Sequence, residues 1–251
     1  MKSLEVLIFE LGGEYGHFRK FNTTSSPLTY VIPTRQAIMG LLGAILGIER
    51  ESSAGKRSPG TPSLSECFDR SKTKVAVQVL QPIKKVNMGF NLLDTGKSPA
   101  SFFNIRQRTQ IEFELLKNPR YRIYFTHEDS DVFQKLCQRI AAVDHHFTPY
   151  LGLSQFTASV DWVARETLRQ EKSEADFVAV HTAINLSSLA PEETVNFNRL
   201  GAYTTDTFPM AMRADRVVTE YAQVLIERTG QPLILKKRDC WISSFGKILF
   251  L

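Results

Sequence analysis

Cysteine is scarce. Cys67, Cys137 and Cys240 are few, far apart, odd in number and without CxxC spacing, which excludes a disulfide framework and a cysteine zinc site and points to a reducing cytoplasm. Long apolar runs are also missing. Ala37 to Ile48, about twelve residues, falls well short of the roughly twenty needed to cross a bilayer. The start, Met1-Lys2-Ser3-Leu4-Glu5, has no signal-peptide pattern, so no membrane role is expected. His17, His127, His145, His146 and His181 are scattered without HExxH spacing, so no metal and no cofactor is expected. A GxSxG elbow is absent, and Gly55-Lys56 is followed by Arg57, which excludes a serine-hydrolase elbow and a phosphate-binding P-loop.

What remains is an ordinary globular composition, 43% hydrophobic and 23% charged over 251 residues, with enough chain to bury a core. The formal charge of +5 is unevenly placed: Arg70 to Arg122 holds eleven Lys or Arg against Asp94, Glu112 and Glu114. A basic middle on a slightly acidic remainder suits a localised polyanion site, or equally a solvated, self-repelling loop.

Periodicity suggests the order of elements. Leu4 to Leu11 reads as a central strand stopped by Gly12-Gly13. A helix is predicted from Pro33 through Leu46, its glycines 40, 43 and 47 implying close packing on a sheet. Lys74 to Leu80 is a second strand; residues 81 to 103 form an excursion between sheet neighbours, with Arg106 to Leu116 as the next strand of the palm, and Tyr121 to Phe125 continues or repeats strand character. Asp129 or Ser130 caps a helix with Phe133, Leu136 and Ile140 on one face, and Phe156 to Val163 is a further strand. The fold class is α+β, a ferredoxin-like (RNA-recognition-motif-like) βαββαβ palm. The expected division is a palm over residues 1–165, with a thumb inserted at about 82–105, and a smaller, mainly β region over 166–251. There, Val217 to Ile226 and Leu233 to Leu235 flank Thr229-Gly230-Gln231 like a hairpin, with a helix as the alternative for the first of them.

Two segments carry the chemistry of a single-strand binder. His17-Phe18-Arg19-Lys20-Phe21-Asn22-Thr23-Thr24 interleaves rings, cations and hydroxyls, which can stack on bases, neutralise phosphates and meet a 2′-hydroxyl. The plainer reading is a polar surface loop with Phe18 and Phe21 turned inward. Lys84-Lys85-Val86-Asn87 and Arg106-Gln107-Arg108-Thr109 lie at the two ends of the excursion and would converge at its base if the bracketing strands pair.

The runs Gly16 to Phe21, Pro27-Leu28-Thr29-Tyr30-Val31-Ile32-Pro33-Thr34-Arg35 and Gly40 to Gly47, with Gln110 to Leu115, Asn118 to Tyr124 and Pro149 to Ser154, resemble the Cas-five family of the RAMP superfamily. The type I-B branch is the nearest in pattern. The resemblance implies a palm and β-thumb that hold the 5′ handle of the CRISPR RNA in Cascade. It also implies a non-catalytic role, contacts with the backbone subunit and the large subunit, and target DNA met only through the assembled complex. Carried over, Arg19, Lys20 and Arg35 belong to the palm grip, and Lys84, Lys85, Arg106 and Arg108 flank the thumb. His17, Thr23, Thr24 and Asn87 complete the expected RNA contacts. A related type I-C branch cuts repeat RNA, so metal-independent cleavage by His17 and Tyr15 is the alternative.

Overall fold

In the computed structural model, residues 2–21, 23, 26–49, 63–93, 108–172, 177–197, 201–236 and 239–251 are described. Along the chain come β1 (Ser3–Gly12), β2 (Tyr15–Gly16), α1 (Arg35–Leu46), α2 (Leu64–Cys67), β3 (Thr73–Val79), β4 (Lys84–Leu93), β5 (Arg108–Lys117) and β6 (Arg120–His127). Then follow α3 (Ser130–Ala141), β7 (Ser159–Lys172), β8 (Val178–Val180), β9 (Ile184–Asn185), β10 (Tyr203–Met212), β11 (Val218–Glu227), β12 (Leu233–Leu235), β13 (Asp239–Ser243) and β14 (Gly246–Ile248).

Alternation along β1 sends Leu7, Phe9 and Leu11 to one face and Val6 and Ile8 to the other, and all five are buried. A strand buried on both faces belongs at a sheet centre. It pairs antiparallel with β6 on one side and β7 on the other, and β3 lies beyond β6. The resulting order, β7-β1-β6-β3, with α1 and α3 against one face, is the βαββαβ palm. Thr34 caps α1, accepting from the Ala37 amide, and Asp129 caps α3, accepting from the Asp131 and Val132 amides.

The eight-stranded sheet continues past β7 through β13, β14, β8 and β12, so the C-terminal strands extend the palm sheet, and position 165 falls inside β7. Their addition covers the sheet face away from the helices. Tyr124, Ile8 and Leu168 are buried there with Trp241, Phe245 and Phe250 packed nearby. Phe245 lies 3.9 Å from the Arg122 guanidinium. Binding bases on the open sheet, as an RNA-recognition motif does, is therefore blocked by the protein's own chain.

Three expectations are corrected. The strand at Arg108–Lys117 does not join the palm: it pairs with β4 from Lys84↔Lys117 to Leu93↔Arg108, and β6 is the palm strand beside β3. Asn118, at φ 48°, and Pro119 break the chain between β5 and β6, because a proline gives no amide to continue a ladder. The hairpin expected around Thr229-Gly230-Gln231 is not formed. The β11 strand pairs with β10 and β9, and β12 with β8 in the large sheet. The segment Val217–Ile226 is strand, not helix, since Ala222, Val224 and Ile226 bury one face at a period of two. Of the three glycines, none is packed on the sheet: Gly43 lies against Leu64 of α2, Gly47 caps the helix at φ 79° against the His146 ring, and Gly40 has open space.

Val143 adopts φ 53° after α3, where the Asp144 amide closes onto the Arg139 carbonyl at 2.8 Å. This left-handed cap position suits Gly or Asn and is costly for a β-branched residue. Val143 is 72% exposed, so its side chain recovers nothing by burial. Val143→Asn should stabilise the fold by about 1 kcal/mol and raise Tm by roughly 2–4 °C. Thermal unfolding checks it, and an unchanged Tm would count against the strained cap.

Candidate nucleic-acid interface

A loop rich in polar groups needs outside partners to hold one conformation, and residues 17–30 find theirs on three elements. Within the loop, Arg19 and Thr29 form a β-bridge, the Phe18 amide donates to Thr29 Oγ1 at 2.9 Å, and the Tyr30 amide donates to the Phe18 carbonyl at 2.8 Å. On β5, Glu114 holds it at several atoms. Its carbonyl accepts from His17 Nδ1 at 2.9 Å, its amide donates to the Pro27 carbonyl at 3.1 Å, and its carboxylate accepts from the Thr29 amide at 3.1 Å. Lys85 on β4 donates to the same carboxylate at 2.8 Å and to the Thr29 carbonyl at 3.2 Å. On β10, Asp206 takes Lys20 at 2.5 Å, and the Thr207 carbonyl accepts from the Tyr30 hydroxyl at 2.7 Å. Burial and the neighbouring Asp206 charge push that hydroxyl up to about 12, so it stays a donor.

The expected site residues divide accordingly. His17, Lys85 and Asn87 meet at the β4–β5 hairpin, His17 on the Glu114 carbonyl, Lys85 on the Glu114 carboxylate and the Thr29 carbonyl, and Asn87 opposite Glu114, while Arg19, Lys20 and Thr23 lie along the loop and Lys84 stands at the hairpin base. Arg19, Lys84 and Asn87 are exposed. The guanidinium of Arg19 donates to the Thr23 carbonyl at 3.1 Å, which folds the loop back beneath it. Lys20 and Lys85 are already neutralised by Asp206 and Glu114, so their first role is to hold the loop. Within the hairpin, Lys84 faces the same side as Val86, Met88 and Phe90, while Lys85 and Asn87 face the other.

Two expectations fail geometrically. Lys84 and Arg108 do not converge at the thumb base, because the register puts Arg108 opposite Leu93, nine pairs from Lys84, or about 30 Å along the strand. Arg35 is 5% exposed and spends its guanidinium on the Phe68 carbonyl and Thr73 Oγ1. It ties α1 to the end of β3 and does not reach the surface. Arg106, Thr24 and residues 94–105 of the expected thumb lie outside the described residues.

Sequence reasoning missed Lys117. It is exposed, directly opposite Lys84 on one side and Tyr15 on the other. Like charges directly opposite on adjacent strands destabilise a hairpin, and an anion bound there would relieve that repulsion. In the sequence it stands out only as one of the eleven cations between Arg70 and Arg122. The basic stretch is otherwise largely consumed. Arg120 and Arg122 share Glu10, whose carboxyl they hold below the usual range although burial opposes them, and Arg70 pairs with Glu220. Among the described residues, Arg19, Lys84 and Lys117 form no ion pair.

His17 is 2% exposed, with its ring against Phe113. Since Nδ1 donates to a carbonyl, Nε2 is the bare nitrogen, and it has no partner among the described residues. Burial lowers its pKa although the Glu114 carbonyl bond opposes this. A buried, neutral imidazole cannot exchange protons with an RNA at the surface, so the cleavage role considered for His17 loses its geometry. The sign of the pH effect follows. The unfolded chain binds the proton more readily, so stability is full above the ordinary histidine value near 6.5 and falls as pH drops toward the lowered folded value. Denaturation midpoints between neutral and mildly acidic pH should drop less steeply in His17→Gln; equal slopes would argue against the buried neutral ring.

Among the described residues, no helix is long and apolar enough to cross a membrane and no group of three or more His, Cys, Asp or Glu could hold a metal. No curated protein matches the chain. In solved structures it is similar to a CRISPR protein from Archaeoglobus fulgidus, at TM-score 0.55 and 9% identity over 98% of both chains. It is also similar to a chain of a CRISPR RNA-guided surveillance complex, at TM-score 0.50 and 15% identity over 90% of this chain and 91% of that one. A chain of the type III-B Cmr-beta complex bound to cognate target RNA and AMPPnP gives TM-score 0.50 and 12% identity over 92% and 86%. At such identities these likenesses establish the fold alone. The family described as CRISPR-associated protein (Cas_Cas5) matches residues 6–225, from the central palm strand through most of β11, and to that family this chain belongs.

Proposed function

We propose that this chain is a non-catalytic subunit of a type I Cascade, of the I-B branch, that grips the 5′ handle of the CRISPR RNA in the cytoplasm. The observation that carries this reading is the loop 17–30, pinned at Glu114 and Asp206 with Arg19 exposed on it, together with the exposed cross-strand pair Lys84 and Lys117 of the hairpin that holds it, three cations with no ion pair among the described residues. Exposed cations on a fixed loop neutralise phosphates without first losing the entropy of ordering that loop. Grip on one RNA end sets the register from which further subunits assemble, and target sequence is left to base pairing.

The hairpin's apolar face supports contact with the adjoining backbone subunit: Met88 and Leu92 are 37% and 39% exposed, and on the same face the tilted rings of Phe90 and Phe113 lie 4.9 Å apart. The large subunit and, through it, target DNA complete the proposed partners. Filter binding of repeat-derived RNA over a salt series tests the grip; affinity that ignores salt would count against it.

A further inference from the structure

Exposed aromatic rings that touch one another across distant parts of a chain make a shared apolar patch open to solvent. Phe21, 58% exposed at the turn of the loop, and Tyr221, 45% exposed on β11, lie with ring centroids 5.1 Å apart. The β10–β11 hairpin presents its other face to the core through Phe208, Ala222 and Val224, so Tyr221 stands on its solvent side. Along this hairpin the order is Asp206 holding Lys20, then the Pro209–Tyr221 pair carrying Phe21, then a tip with Arg213 and Arg216. Asp215 neutralises Arg213, whereas Arg216 has no ion pair among the described residues and sits at φ 67°, a strained position for a non-glycine residue.

We infer that the Phe21–Tyr221 pair is a stacking platform for one unpaired RNA base, with the adjoining phosphates taken by Arg19 on one side and Arg216 on the other. The inference rests on the RNA-gripping reading and deepens it. The chemistry is that of single-strand recognition: a ring with an open face accepts any base, and flanking cations hold the backbone. The tip lies roughly four residues beyond Tyr221, about 13 Å, a span of two nucleotides. The pair also ties two segments 200 positions apart, so a staple without ligand is the competing explanation, and the test separates them.

The probe is a short single-stranded RNA in which successive positions carry 2-aminopurine. Wild-type protein should quench the fluorophore at one or two positions. Phe21→Ala and Tyr221→Ala should each abolish that quenching and weaken binding about tenfold, leaving the salt slope unchanged. Tyr221→Phe should retain both. Phe21→Leu keeps the apolar contact without a π face, so it should keep the wild-type melting temperature and lose the quenching. Alanine variants that bind and quench like wild type overturn the platform and leave the RNA grip standing; loss of complex assembly alone in those variants would assign the rings to a protein contact. If wild-type protein binds no RNA, the grip fails and the platform with it.

Discussion

Gly152→Ala should destabilise the protein severely, by at least ~3 kcal/mol, and displace the loop at residue 17. Gly152 sits at φ 87°, and a Cβ built on it would lie 1.8 Å from the His17 carbonyl oxygen and 2.7 Å from its carbonyl carbon. Both neighbours are backbone, so no rotamer change relieves the clash. The chain at this point is tied by the His17 amide to the Leu151 carbonyl at 2.9 Å, which must break or shift. Gly40→Ala is the matched control. Its Cβ meets nothing within 4 Å, and in a helix interior it should gain about 0.5–1 kcal/mol. Urea denaturation of the two variants should move in opposite directions, and a Gly152→Ala midpoint equal to wild type would contradict the close approach.

Replacing Arg19, Lys84 and Lys117 together by alanine should weaken RNA binding about a hundredfold near 0.1 M salt and flatten the slope of log affinity against log salt by about two. Each phosphate contact on a single strand accounts for about 0.7 of that slope, and the loss should vanish toward molar salt. The fold itself should not suffer, because Lys84 and Lys117 repel each other across the ladder. Lys20 and Lys85 are deliberately left in place: removing either would strand Asp206 or Glu114 and confound binding with loop collapse. Fluorescence anisotropy at several salt concentrations, with a thermal melt of the variant, reads both effects, and a melt unchanged alongside unchanged affinity would remove these three cations from the grip.

Much of the palm was legible because its signals are local. The run at residues 4–11, the cap at Asp129, and the helical face of Phe133, Leu136 and Ile140 each lie within one element. The strand at Arg108–Lys117 was visible as a strand but assigned the wrong neighbour, since alternation says that a segment is extended and not which segment it pairs with. The same limit hid β10: without its partner, β11 had helical and strand readings of equal standing. At the site, the loop 17–24 was recognisable by composition, and Phe18 and Phe21 could not be separated. One proves buried at 5% and the other exposed at 58%, which depends on the β10–β11 hairpin lying alongside.

Residue types and their spacing alone settled that no metal cluster, hydrolase elbow or phosphate loop was to be expected, that the chain alternates strands and helices as a palm, and that its positive charge gathers in the middle. Only the folded molecule decided which of those charges are free. Lys20 meets Asp206 from 186 positions away, Arg35 is drawn inside, and Arg108 is carried to the far end of its ladder. Helix and strand periods are read over a few neighbouring residues, whereas strand register and ion pairing are fixed by packing between distant segments, where a shift of one position exchanges the two faces of a strand.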